Sequence, residues 1–133
     1  RSPLEVQRAL AAGASWAGTY DDSPPHPLDA AITFAPAGDV VVTALKALDR
    51  GGTVAVNAIH LDRIPELDYD DLWWERSIKS VANVTRADVT GFLDLVSEAG
   101  IQTVTEALPL TEANAALRRL EAGEVSGSLV LVP

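Results

Sequence analysis

The 133 residues are enough for one domain with a sizeable core, and a hydrophobic content of 47% favours folding over disorder. A net charge of −9, with ten scattered basic residues, excludes the clustered Lys/Arg surface that duplex nucleic acid requires. With no cysteine, disulfides and thiolate metal centres are excluded as well.

Only 5% of residues are aromatic, so Ala, Val and Leu must fill the core. No stretch approaches the roughly eighteen apolar residues of a membrane span, and no signal peptide, repeat or low-complexity segment is visible. We therefore expect no membrane partner, and a cytoplasmic location fits. The chain begins at Arg1 rather than at methionine, which suggests either removal of a leading segment or a piece of something longer.

In chain order, Ser2, Pro3 and Glu5 form a capping-box pattern with proline at the first helical position. Val6, Ala9 and Leu10 give that helix an apolar stripe, and Gly13 is its stop. Residues 14–18, "ASWAG", are a short strand candidate, and "TYDDSPPHP" reads as a loop. "LDAAITFAP" reads as a strand buried on both faces. From Gly38 to Arg50 a helix is expected, with Asp39 as N-cap, Val42, Leu45 and Leu48 inward, and Gly51-Gly52 as its end.

"TVAVNAI" is a second strand of the buried kind, the habit of parallel sheets under helices. A long acidic connection follows, "HLDRIPELDYDDLWWERS", with one helical turn near Leu72 to Glu75. "IKSVANV" is a third strand. Thr85 and Asp88 can cap a helix carrying Val89, Phe92, Leu93 and Val96, ending at Gly100. "QTVTEALPL" alternates like a half-exposed strand. Thr111 starts another helix, with Ala113, Ala116, Leu117 and Leu120 inward and Gly123 as stop, and "SGSLVLVP" closes as a strand. This alternation of strand and helix is the rhythm of right-handed βαβ crossovers in a parallel sheet.

Few side chains point to chemistry. His26 and His60 lack metal-ligand spacing, although His60 sits just past a strand end, where ligands of open α/β sheets gather. Asp68 to Asp71 lack the glycine turn and distal glutamate of a calcium loop and read as a solvated acidic loop. "GASWAG" has one residue too many for a G-x-S-x-G nucleophile elbow. Trp73 and Trp74 read as packing anchors over a sheet edge or partner surface. Gly51-Gly52 follows a helix instead of opening one, the wrong place for a pyrophosphate. No catalytic residue and no metal ligand is assigned.

"LDAAITFAPAGDVVVTALKALDRGGTVAVNAIH" resembles the second half of the cofactor domain of zinc-type alcohol dehydrogenases, in the medium-chain dehydrogenase/reductase family. "ERSIKSVANVTRAD" resembles that family's last Rossmann strand and the turn after it. "ALPLTEANAALRRLEAGEVSGSLVLVP" resembles its C-terminal signature and is the most specific of the three. The resemblance spans essentially all of residues 1–133, with about 101–133 similar to the tail that returns to the catalytic domain.

What the resemblance implies is an α/β fold: a partial, Rossmann-like, doubly wound parallel sheet lacking its first two strands. The first strand, its G-x-G-x-x-G turn, the second strand and the zinc-binding domain would precede Arg1. Three parallel strands are expected near Ala30–Phe34, Thr53–Asn57 and Ile78–Asn83, with "ASWAG" and the last two strands poorly placed unless a partner completes the sheet.

By resemblance, NAD or NADP would meet Phe34, Ala35 and Pro36 after the first of these strands. Asn57, Ala58 and Ile59 would line the nicotinamide side. Val81, Ala82 and Asn83 would offer backbone groups to the carboxamide, and Arg1 and Ser2 would sit beside the adenosine ribose. Zinc would belong to the parent enzyme only, and a homodimer would form along Ile78 to Asn83. The favoured reading is thus part of the nucleotide-binding half of an enzyme that moves a hydride between alcohol or aldehyde and NAD(P), inactive by itself. Two alternatives stand beside it: a stand-alone nucleotide-binding or dimerisation module, and part of a zinc-free quinone oxidoreductase of the same superfamily.

Overall fold

The computed structural model describes residues 3–133, so the expected cap at Ser2 lies outside the described residues. The chain divides into two compact units, Arg1–Asn83 and Val84–Pro133.

In the first unit, α1 (Pro3–Ala11) is followed by β1 (Leu28–Thr33), α2 (Gly38–Lys46), β2 (Leu48–Val56), α3 (Tyr69–Leu72) and β3 (Ser77–Ser80). The strands form one parallel sheet in the order β1-β2-β3. The three expected strands are therefore present in the expected sequence. "ASWAG" is not a strand: residues 14–18 are irregular, with no ladder to join.

α2 begins at Gly38, as expected, but is capped differently and ends sooner than its pattern suggested. Its N-cap is Ala37, not Asp39. The Gly38 N–H donates instead to Asp62 Oδ1 at 2.6 Å, from 24 residues away. Leu48 leaves the helix and opens β2. Gly51 and Gly52 are likewise not a helix cap. They lie in a bulge of β2, between the pairs Leu28–Leu48 and Ala30–Thr53. Gly51 sits at φ +73°, a conformation that glycine adopts without steric cost, and its N–H donates to the Trp74 carbonyl at 2.9 Å.

The core is small. Val41 and Leu45 of α2 pack on Leu48, Val54 and Val56 of β2, flanked by partly buried Leu28, Ala31, Leu61, Leu67, Leu72 and Ile78. α2 thus covers one sheet face. The other stays open, with Ile32 62% exposed, so β1 is not buried on both faces.

The second unit contains α4 (Arg86–Ala99), β4 (Thr105–Pro109), a 3-10 turn (Leu110–Glu112), α5 (Ala113–Glu121) and β5 (Ser128–Val132). β4 and β5 pair in parallel from Thr105–Ser128 to Pro109–Val132, so the last two strands complete each other. The expected capping box of α4 is present: Thr85 Oγ1 accepts from the Asp88 N–H at 3.2 Å, and the Thr85 N–H donates to Asp88 Oδ2 at 2.8 Å. Its stripe is another matter. Val89, Phe92 and Leu93 remain exposed, as do Leu117 and Leu120 of α5, where only Ala116 is buried.

Gly13, Gly100 and Gly123 end α1, α4 and α5 in the left-handed region, as their sequence positions suggested. At each, the glycine N–H returns to a carbonyl three residues back and the next N–H to one five residues back.

Candidate functional site at the carboxyl edge of the sheet

Because β1, β2 and β3 run parallel with Thr33, Val56 and Ser80 side by side, all three strands end at the same edge. The segments that follow, Phe34–Pro36, Asn57–Ile59 and Val81–Asn83, therefore emerge together. Two further bonds extend the ladder into them: Asn57 N–H to the Thr33 carbonyl at 2.9 Å, and Val81 N–H to the Val56 carbonyl at 3.0 Å. Nine of the site residues expected from sequence thus share one edge. Arg1 and Ser2 lie outside the described residues.

The edge is open and mostly apolar. Phe34 is 67% exposed and Ile59 93% exposed, with Val81 exposed beside them. Asn57 and Asn83 add exposed carboxamides. Asn83 turns the chain at φ +64°, in the left-handed region that asparagine tolerates better than most residues. The edge thus sets exposed apolar side chains beside amide donors and acceptors. It offers nothing for metal: among the described residues no cluster of three or more His, Asp or Glu could hold an ion.

Two features of this edge carried no local sequence signal. Thr33 is only 4% exposed, and its hydroxyl has no hydrogen-bond partner among the described residues. Asp62 reaches across the edge from the β2–β3 connection to the first turn of α2, while Leu61 and Leu67 pack on the core. His60, between Ile59 and this tie, is exposed.

The amino edge is built differently. A cavity of about 440 Å³ is lined by the proline-rich loop, including His26, and by Lys46 and Arg76. Arg76 is committed to structure there: its guanidinium donates to the carbonyls of Leu48 at 2.9 Å, Asp71 at 3.1 Å and Asp49 at 3.3 Å. Lys46 lies 3.7 Å from Asp71. Asp22, on the rim, has its carboxyl held below the usual aspartate range by the Thr19 backbone N–H and hydroxyl. Nearby, Arg50 lies 4.0 Å over the Trp74 ring, and Trp73 bridges Trp74 and Tyr69. Trp73 and Trp74 are half exposed and touch Tyr69 and Arg50 rather than the core.

A parallel sheet with its β1–β2 crossover through α2 and a shared carboxyl edge defines the class: a Rossmann-like α/β fold. The chain is 49% identical over 125 residues to a probable alcohol dehydrogenase AdhA of Mycobacterium tuberculosis, covering 93% of this chain and 36% of that protein. It is 28% identical over 102 residues to an alcohol dehydrogenase of Geobacillus stearothermophilus, covering 77% of this chain and 30% of that one. The chain thus spans about a third of the length of these curated relatives.

Among solved structures, AibC superposes over 99% of this chain and 43% of its own, with a TM-score of 0.76 and 27% identity. A cobalt- and zinc-bound thermostable alcohol dehydrogenase from Pyrobaculum aerophilum matches all of this chain and 41% of its own, with a TM-score of 0.74 at 22% identity. No protein-family model matches. The resemblance to alcohol dehydrogenases is borne out, with a fold that matches the Rossmann-like portion of these structures.

Proposed function

We propose that this chain forms part of the nicotinamide-dinucleotide-binding domain of an oxidoreductase of alcohol dehydrogenase type. One observation carries the reading: three strand-end segments share the carboxyl edge in a chain 49% identical to AdhA. Phe34–Pro36 and Asn57–Ile59 form the wall beside the nicotinamide, and Val81–Asn83 presents its backbone to the carboxamide. Arg1 and Ser2 belong to the adenosine end in this reading.

Zinc, where the parent enzyme holds it, would supply Lewis-acid polarisation of the substrate oxygen, and no residue of this chain is assigned to it. In this reading the 133 residues carry an incomplete dinucleotide site that engages NAD(P) at the three strand ends without turnover, act in the cytoplasm, and pair as a homodimer along Ile78–Asn83. Among the described residues no strand pairs with the outer side of β3, which supports that pairing.

The test is titration of the chain with NADH and NADPH, read by backbone amide shifts. Saturable shifts confined to the three strand-end segments are the expected result. Shifts elsewhere, or none at millimolar ligand, overturn the reading. Alcohol oxidation by this polypeptide alone would overturn the assignment of binding without turnover.

A further inference from the structure

We infer that Asp62 is a positioning residue for the carboxyl edge, fixing the start of the β2–β3 connection across the first turn of α2. The inference rests on the cofactor-binding reading above and assigns that site a determinant of its shape.

The connection leaves β2 at Val56 and passes through Asn57–Ile59, three of the residues placed beside the nicotinamide. Asn57 is held by the ladder and Ala58 by the core, but Ile59 is almost fully solvent-exposed and contributes little packing, so the segment loosens from there on unless something holds it. The chain is pinned just beyond it. Asp62 Oδ1 accepts the Gly38 N–H at 2.6 Å, a short, charge-assisted bond to a helix-end N–H that has no intrahelical partner. The carboxylate also sits at the positive end of the α2 dipole.

Gly38 completes the fit from the other side. A Cβ at this position would overlap the Arg63 carbonyl and lie 2.8 Å from the Ile64 Cα, so the connection lies directly against the glycine backbone. Leu61 on one side of Asp62 and Leu67 further on pack on the core. The tie therefore fixes the direction in which the chain leaves Ile59 and how closely the connection lies against the first turn of α2, while the ladder itself spaces the ends of β1 and β2. A nucleotide placed along this edge meets a wall of set shape rather than a loose loop, and avoids the entropic cost of ordering it.

Asp62→Asn keeps the accepting oxygen, Asp62→Ala removes it, and Gly38→Ala displaces the connection without touching Asp62. Two readouts are taken on the whole chain: the rate of tryptic cleavage after Arg63, and NADH affinity from amide shifts at Asn57–Ile59. Asp62→Ala and Gly38→Ala should both speed cleavage and weaken NADH binding severalfold, with Asp62→Asn close to the parent in both.

Unchanged cleavage in Asp62→Ala overturns the tie. Faster cleavage with unchanged NADH affinity overturns the positioning role. If the parent chain shows no NADH shifts, the cofactor reading fails and takes the positioning role with it, while cleavage still judges the tie separately.

Discussion

The Arg119 guanidinium meets the Glu106 carboxylate on two parallel hydrogen bonds, each 2.8 Å, and so joins α5 to β4. Those bonds hold the Glu106 carboxyl below the usual glutamate range. A group whose folded pKa is depressed contributes stability above its unfolded pKa and loses it as pH falls through the folded value. Glu106→Gln should therefore melt below the parent at neutral pH. The gap should close on acidification from the ordinary glutamate range downward, and added salt should narrow it at neutral pH because the pair is exposed. Thermal melts across pH and salt provide the measurement, and a gap independent of both would contradict the pair's contribution.

Leu45 is completely buried between α2 and β2 in a core of few residues. Truncation to alanine deletes packing that nothing nearby can replace and should cost about 2–5 kcal/mol. The first unit has little apolar surface in reserve, so urea unfolding of Leu45→Ala should show a large drop in midpoint. A change within error would mean that the core collapses around the missing methyls.

The strands around this core were legible because apolar runs such as Val54–Val56 mark them whatever lies beyond. What covers an apolar face was not legible. Phe92, Leu93, Leu117 and Leu120 fall at helical spacing, yet they remain exposed, because periodicity identifies a face and not its partner. Ala14–Gly18 failed for a related reason, since a strand exists only where another pairs with it.

Long-range partners were equally hidden. Asp39 has the composition of a cap, but the α2 N-terminus is satisfied by Asp62, and no local pattern signals an acceptor that far along the chain. Gly51-Gly52 has the composition of a helix stop, yet the structure uses it for a bulge, because either role suits glycine. The common edge of the strand ends was easier to read. Strand ends in a parallel sheet share one edge, so finding the strands was enough to bring Phe34, Asn57 and Val81 together.

α4 stands on its capping box rather than on burial, since it has no fully buried residue. Thr85→Ala removes the oxygen that accepts the Asp88 N–H and should cost about 1 kcal/mol. The bonds from the Thr85 hydroxyl and backbone N–H also depress the Asp88 carboxyl, so this part of the cap persists above the ordinary aspartate range and fails as pH falls through the lowered value. Helicity followed by circular dichroism should fall in the variant at neutral pH, and less so in acid. Equal loss at both would leave the side-chain cap without a role.

Thr33 contributes a buried hydroxyl with no partner among the described residues, at the end of β1. Valine has nearly the same shape and removes the desolvated oxygen, so Thr33→Val should be neutral or gain about 1 kcal/mol in chemical denaturation. A clear loss would show that the hydroxyl is satisfied in solution by a bound water or ligand, and NADH titration of the same variant separates these two.

The proposed dimer has a sharper test in the geometry of β3. Val81 N–H bonds to the Val56 carbonyl, and Val56 pairs with Ser80, so on β3 the residues bonding toward β2 flank Ser80. Strand alternation then turns the Ser80 N–H outward, toward the open edge. Ser80→Pro deletes that donor and leaves the inner ladder intact, which is the condition under which an edge strand tolerates proline. Light scattering on the parent chain should give a dimer mass, and Ser80→Pro a monomer with the NADH-induced shifts of the parent. A dimer that survives the proline would move the interface away from Ile78–Asn83, and a parent that is monomeric at every concentration would remove the homodimer from the reading.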